Sequence, residues 1–269
     1  MARILVMSSF VAGSNVGGGL AQKVLPQLGC ECVLLPTVLL GRHPGWGAPG
    51  GGAVPYDMFS SMADGLIAND IPASCDAVIT GYFASPAQVE RAAGLISKYF
   101  RGRVPVIIDP VIGDWGKGLY ISEAVAAAIT DHLVPLADVL TPNVFECLEL
   151  LRRRGDIPAI PENEPDIAWL SEAMAREPAA PAWAVTSVSS GPEIGIMWSD
   201  GAVSYRGNER ITGPVPNGTG DLVTLLVCKA LLDGEAITDA LPGIVATVRK
   251  AILSSEAGDI NTARLFADS

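Results

Sequence analysis

The chain has 269 residues, 49% of them hydrophobic and 17% charged, which is enough apolar material for a substantial core and too little charge for a disordered or solvent-laced chain. Its formal net charge is −11, and the one short basic cluster, Arg152-Arg153-Arg154, runs straight into Gly155-Asp156. Nucleic acid and anionic membranes are therefore excluded as partners, whereas a nucleotide is not, because backbone N–H groups, a helix N-terminus and a divalent cation can neutralise phosphates locally.

The first residues, Met1–Met7, hold a short apolar run that ends at Ser8-Ser9, and no later stretch reaches membrane-spanning length, so a soluble cytoplasmic protein is expected. The five cysteines, Cys30, Cys32, Cys75, Cys147 and Cys228, lack C-x-x-C spacing and read as buried reduced thiols.

Strand-like runs at Arg3–Met7, Glu31–Val38, Ala77–Gly81, Val104–Asp109, Ala137–Leu140 and Ala182–Thr186 alternate with helical patterns such as Val89–Tyr99 and Ile121–Leu133. This alternation predicts an α/β domain with a doubly wound, mostly parallel sheet flanked by helices, one domain over residues 1–269. Several runs end in polar residues, and such strand ends form the ligand crevice of an open α/β sheet. Farther on, Ile194–Trp198 and Ala202–Tyr205 flank Asp200-Gly201, a turn signal that predicts an antiparallel hairpin at one edge.

The stretch Gly41–Gly52 is dense in Gly and Pro and predicts an irregular, mobile loop; placed between a strand and a helix, it reads as a lid over residues 41–56. Gly155–Pro165 reads as a surface connection. Of the histidines, His132 at a helix end is structural, while His43 in the lid is either a substrate contact or a solvent-facing loop residue.

Chemistry concentrates in three stretches. Gly218-Thr219-Gly220-Asp221 opens an apolar helical run. Its glycines admit phosphate oxygens, its free N–H groups favour developing negative charge, and Asp221 can accept a hydroxyl proton, the combination that phosphoryl transfer needs. A plain capped helix would use the same residues. Asp109-Pro110-Val111-Ile112-Gly113-Asp114 and Thr141-Pro142-Asn143-Val144-Phe145-Glu146 each follow a strand, so Asp109 and Glu146 either face one crevice and organise Mg²⁺ or cap helices. No Walker-type P-loop occurs, and Gly13–Gly19 does not spell a dinucleotide fingerprint.

Taken in order, these stretches resemble pyridoxal kinase, a branch of the ribokinase-like superfamily. Ser9-Phe10-Val11-Ala12 with Val16-Gly17, Thr37-Val38, His43-Pro44-Gly45-Trp46, Thr80-Gly81-Tyr82, the Asp109 and Thr141 stretches, Thr186-Ser187 and Gly218–Asp221 follow the family order. The resemblance implies phosphorylation of the hydroxymethyl group of pyridoxal, pyridoxine or pyridoxamine by ATP and Mg²⁺, with a monovalent cation such as K⁺, in a homodimer. It implies that Asp221 is the base and Gly218, Thr219 and Gly220 the anion hole. Ser9, Val16, Thr37, His43 and Tyr82 would surround the vitamin, Asp109 and Glu146 would organise the metal, and Asp114, Tyr120, Asn143, Thr186, Ser187 and Thr219 would lie along the nucleotide. Departures fall where the vitamin would sit: Phe10 replaces a His, Gly13-Ser14 replaces Tyr-Gly, and Arg42-His43-Pro44 replaces Asn-His-Thr. Gly13-Ser14-Asn15 also echoes hydroxymethylpyrimidine kinase, and a non-catalytic vitamin-binding protein on the same fold is the alternative from another class.

Overall fold

The computed structural model describes residues 1–174, 181–255 and 258–266. Strands β1 (Ala2–Val11), β2 (Cys30–Leu40), β3 (Gly51–Ala53), β4 (Ala77–Thr80), β5 (Val106–Ile108), β8 (Val139–Leu140), β9 (Ala182–Ser190), β10 (Glu193–Ser199) and β11 (Val203–Glu209) form one sheet, while β6 (Gly113–Asp114) and β7 (Gly118–Leu119) make a small flap. The sheet order is β11-β10-β9-β8-β5-β4-β1-β2-β3. Pairings from β2 through β1, β4, β5 and β8 to β9 are parallel. The β10–β11 hairpin closes one edge in antiparallel fashion, around the expected Asp200-Gly201 turn.

Strand residues alternate between two cores. Leu5 and Met7 of β1 face one, Ile4 and Val6 the other, as the two-residue repeat of a strand requires. Helices α2 (Tyr56–Ala68), α4 (Pro86–Tyr99), α5 (Glu123–Ala128), α6 (Val144–Arg154) and α7 (Ile167–Met174) cover the first face; α3 (Ile71–Ser74) is a single turn before β4. On the other face lie α1 (Gly17–Val24), α8 (Thr219–Leu232) and α9 (Ile237–Ser254). Both faces are thus covered, which explains the low charge content of the strands. Among the described residues no helix is long and apolar enough to cross a membrane.

Three expectations are corrected. Ser8 and Ser9 do not end the first strand: β1 continues to Val11 because β2 continues beside it, with a register shift between Ser8 and Phe10. Thr186-Ser187 likewise lies within β9, as a bulge opposite β10 where Ser187 takes a φ of 62°. The lid segment is not irregular throughout. Leu40 and Val38 pair with Gly51 and Ala53, Pro44–Trp46 form a 3₁₀ turn, and Tyr56 already begins α2. Its glycines serve this hairpin: Gly51 has a φ of 77°, and a Cβ there would collide with the Leu39 carbonyl. The basic cluster is spent on ion pairs, Arg152 and Arg153 with Glu149 and Arg154 with Asp156.

The two ends of the segment expected as a lid are pinned by Gln88, which is wholly buried. Its Nε2 donates to the carbonyls of Thr37 at 3.0 Å and Val54 at 2.8 Å, and its Oε1 accepts the Ala84 N–H at 3.1 Å. Gln88→Leu keeps the volume but leaves buried backbone groups unpaired, so unfolding free energy in urea should fall by on the order of 3 kcal/mol. A loss below about 0.5 kcal/mol would show that water takes over these bonds.

Candidate active site

Strand order reverses at β1, so the C-terminal ends of β1 and β4 flank a topological switch point, where open α/β sheets bind ligands. A pocket opens there, lined by Ser8, Thr80, Gly17, Asp109, Asp221 and Thr224. Ser8 comes from within β1, Thr80 and Asp109 from the C-terminal ends of β4 and β5, and the first turns of α1 and α8 supply the rest. Two carboxylates read as distant motifs in the sequence therefore share one cavity.

Asp221 lies in the first turn of α8, where exposed helix N–H groups favour negative charge. Gly218 precedes the helix at a φ of 90°, and a Cβ there would stand 2.5 Å from the Asn15 carbonyl oxygen, so no other residue fits. Burial pushes the Asp221 carboxyl above its ordinary value; the Gly17 N–H and the charge of nearby His43 pull it back down.

Asp109, 8% exposed, is pushed well above the ordinary range, first by burial and then by the like charges of Glu146 and Asp221. Opposing this are the Thr224 hydroxyl, 3.2 Å from Oδ2, and the Val111 N–H. Thr224 Oγ1 also lies 2.8 Å from Thr141 Oγ1 and 3.2 Å from the Gly220 carbonyl, so its one proton is divided among Asp109, Thr141 and the Gly220 carbonyl. Val111 is a β-branched residue at a φ of 45°, a conformation that costs about 1–3 kcal/mol and turns its N–H toward Asp109.

Glu146 is a helix cap by geometry. Its Oε1 accepts the Ile112 and Gly113 N–H groups at 2.8 and 3.3 Å, its Oε2 accepts the Asn143 N–H at 2.9 Å, and Asn143 Oδ1 accepts the Glu146 N–H in return. The same carboxylate lies close enough to Asp109 to raise that group's proton affinity. Burial pushes Glu146 itself up to about 7 despite those three donors.

On the side assigned to the nucleotide, Asn143 Nδ2 donates to the Gly113 carbonyl at 2.9 Å and ties the β6–β7 flap to α6. In that flap, half-exposed Asp114 pairs with Lys117 at 2.9 Å. Tyr120, just after it, is 48% exposed, and its phenol is pushed up by partial burial and by Asp114. The buried Thr186 donates its N–H to the Pro142 carbonyl at 2.8 Å, while the bulge leaves Ser187 exposed beside it. Thr219 and Gly220 begin α8, and nothing lies within 4 Å of where a Gly220 Cβ would stand, which leaves room for an incoming group.

On the side assigned to the acceptor, Gly17 packs so closely on Ser9 that a Cβ would overlap the Ser9 hydroxyl, and Val16 is the extended N-cap residue of α1. Thr37 is fully buried, and its hydroxyl donates to the Tyr82 carbonyl at 2.6 Å; it holds the Tyr82 loop in place. His43 Nδ1 accepts the Gly45 N–H at 3.1 Å, and the His43 ring lies 5.7 Å from that of Trp46. The fold thus gathers Asp221, Asp109 and Gly17 in one pocket, packs Ser9 against Gly17, and leaves Asp114 half-exposed and Tyr120 and Ser187 exposed. Sequence reasoning missed Thr224, although its place three residues after Asp221 puts both on one helix face. It also missed Gln88, Thr141 and the contacts of Asp259, which only the fold brings near.

Residues 52–262 match the sequence profile of the phosphomethylpyrimidine kinase family. The chain belongs to that family. Among relatives of this kinase family, a pyridoxine/pyridoxal/pyridoxamine kinase of Bordetella bronchiseptica is 32% identical over 244 residues, 88% of this chain and 83% of that protein. The pyridoxal kinase of Entamoeba histolytica superposes with a TM-score of 0.86 at 23% identity, covering 100% of this chain and 97% of that one. The pyridoxal kinase of Leishmania donovani in complex with ADP and pyridoxamine gives 0.81 at 23% identity, covering 98% and 92%. The expected ribokinase-like fold is thereby established.

The raised Glu146 carboxyl has a measurable signature. Burial pushes it up to about 7 from the ordinary 4.5, so between these values the folded state binds more protons than the unfolded chain and stability falls as pH rises. Measured without divalent cations, the stability of the parent relative to Glu146→Gln should drop by on the order of 3 kcal/mol from pH 4.5 to 7. A pH-independent difference removes Glu146 from this role.

Proposed function

We propose that this phosphomethylpyrimidine kinase family member transfers the terminal phosphoryl group of ATP to the 5′-hydroxymethyl group of pyridoxal, pyridoxine or pyridoxamine. The observation that carries it is Asp221, half-buried in the first turn of α8 behind Gly218 and in one pocket with Asp109. The 32% identical relative with that activity names the acceptor class.

The acceptor lies on Ser9 and Gly17 beneath His43 and Tyr82, its hydroxyl directed at Asp221. Asp221 takes the hydroxyl proton as the acceptor oxygen bonds to phosphorus and the bond from phosphorus to the ADP oxygen breaks. Its raised proton affinity makes it a stronger base than a free aspartate at neutral pH. The N–H groups at Gly218–Gly220 receive the charge on the transferring group. Lid closure keeps water from competing as acceptor.

Asp109 and Glu146 bear on where Mg²⁺ would sit. Asp109 is buried near the charges of Glu146 and Asp221, which a divalent cation would offset. Glu146, whose oxygens already accept backbone N–H groups, would act through water. Among the described residues no three His, Cys, Asp or Glu side chains form a cluster fit for a metal, so these carboxylates would supply only part of an ion's ligands. Bound there, Mg²⁺ neutralises phosphate charge.

Hydroxymethylpyrimidine is the second acceptor to test, on the family match and the Gly13-Ser14-Asn15 opening. Purified protein with ATP, Mg²⁺ and the four compounds, ranked by kcat/KM, decides between them; no phosphate transfer to any of the four sinks the kinase reading. Asp221→Asn should cut kcat on the order of 10²–10⁴-fold with ATP affinity intact. Asp109→Ala should raise the Mg²⁺ requirement more than Glu146→Ala does, and an unchanged titration in both assigns them to packing.

A further inference from the structure

The described C-terminal residues converge on the catalytic turn. Asp259 Oδ2 accepts the Asn15 N–H at 2.8 Å, and its Oδ1 accepts from Asn217 Nδ2 at 3.3 Å. Around this pair the backbone is laced: Asn217 N–H donates to the Gly258 carbonyl at 2.7 Å, Ile260 N–H to the Asn217 carbonyl at 3.2 Å, and Asn15 Nδ2 to the Ile260 carbonyl at 2.8 Å. Lys23 Nζ holds the remaining Asn15 oxygen. Asn217 directly precedes Gly218, and the Asn15 carbonyl presses on Gly218 where its Cβ would be.

We propose that Asp259 is a positioning residue for phosphoryl transfer, joining the β1–α1 loop at Asn15 to the turn at Asn217 and so fixing where the Gly218–Gly220 N–H groups point. The proposal rests on the phosphoryl-transfer reading above. Asp259 touches neither acceptor nor phosphate; it acts through its two asparagine partners. Gly218 and Gly220 are free to take many backbone angles, so the aim of the anion-hole donors has to come from outside the turn. Of the residues flanking the turn, Asn217 carries a side chain anchored outside α8, and its anchor is Asp259. Donors misplaced by about 1 Å cost up to about 10²-fold in rate. The tie also joins the two halves of the site, because Asn15 precedes the acceptor-side residues Val16 and Gly17. Trp46 of the lid lies 3.5 Å from where a Gly258 Cβ would stand, so the lid rests on this same segment.

The test uses Asp259→Ala and Asp259→Asn in the full chain, with kcat and KM measured for pyridoxal and ATP beside amide hydrogen exchange. Asp259→Ala should lower kcat on the order of tenfold or more while KM for ATP stays within about threefold, and exchange should quicken at Asn217–Asp221 but not in β4 or β5. Asp259→Asn, which keeps one acceptor oxygen, should recover part of kcat. A kcat within about twofold of the parent, or a loss in which KM for ATP and exchange across the whole sheet change together, overturns the proposal. If the parent phosphorylates none of the four compounds, the function reading fails on its own, and unchanged exchange at Asn217–Asp221 in Asp259→Ala then overturns the tie as well.

Discussion

Asp109 is buried where the charges of Glu146 and Asp221 oppose its ionisation, and much of the surrounding structure answers that repulsion. Each receives a donor that the fold places for it. Glu146 has three backbone N–H groups, Asp109 has the Thr224 hydroxyl and the Val111 N–H, and Asp221 has the Gly17 N–H with His43 nearby. These donors fall short of full neutralisation, and burial leaves the proton affinity of all three raised. The unfavourable φ of Val111 belongs to the same balance: backbone energy is stored to bring one more N–H to a buried charge.

The sheet was legible because it is buried on both faces, so its strands read as apolar runs whose alternation with helices needs no knowledge of contacts. Strand ends were less legible. Whether Ser8 or Thr186 ends a strand depends on the neighbour alongside, and both strands run on because β2 and β10 do. The lid deceived in the opposite direction: a stretch rich in Gly and Pro reads as disorder locally, yet Gly51 uses its positive φ to let the chain return against Leu39 and Leu40.

At the site, residues carried by local motifs were found, since Asp221, Asp109 and Glu146 sit beside glycines, prolines and strand ends that mark them. What local sequence left open was the use each makes of its atoms. Glu146 reads equally as cap and as metal carboxylate; its Oε2 caps α6 and its Oε1 holds the Ile112-Gly113 backbone. Thr37 reads as a substrate contact, and its hydroxyl is spent on the Tyr82 carbonyl. Gln88 and Asp259 carry no motif at all, because their partners come from other elements and only the folded chain defines them.

The Asn15–Asp259 bond spans 244 residues, and closing so long a loop brings little net stability. The segment that carries Asp259 also sends Ile260 and Leu265 into the second core. On the positioning proposed above, the end of the chain would therefore serve packing and the aim of the Gly218–Gly220 donors at once, so that losing it would loosen the α1, α8 and α9 face and the turn together.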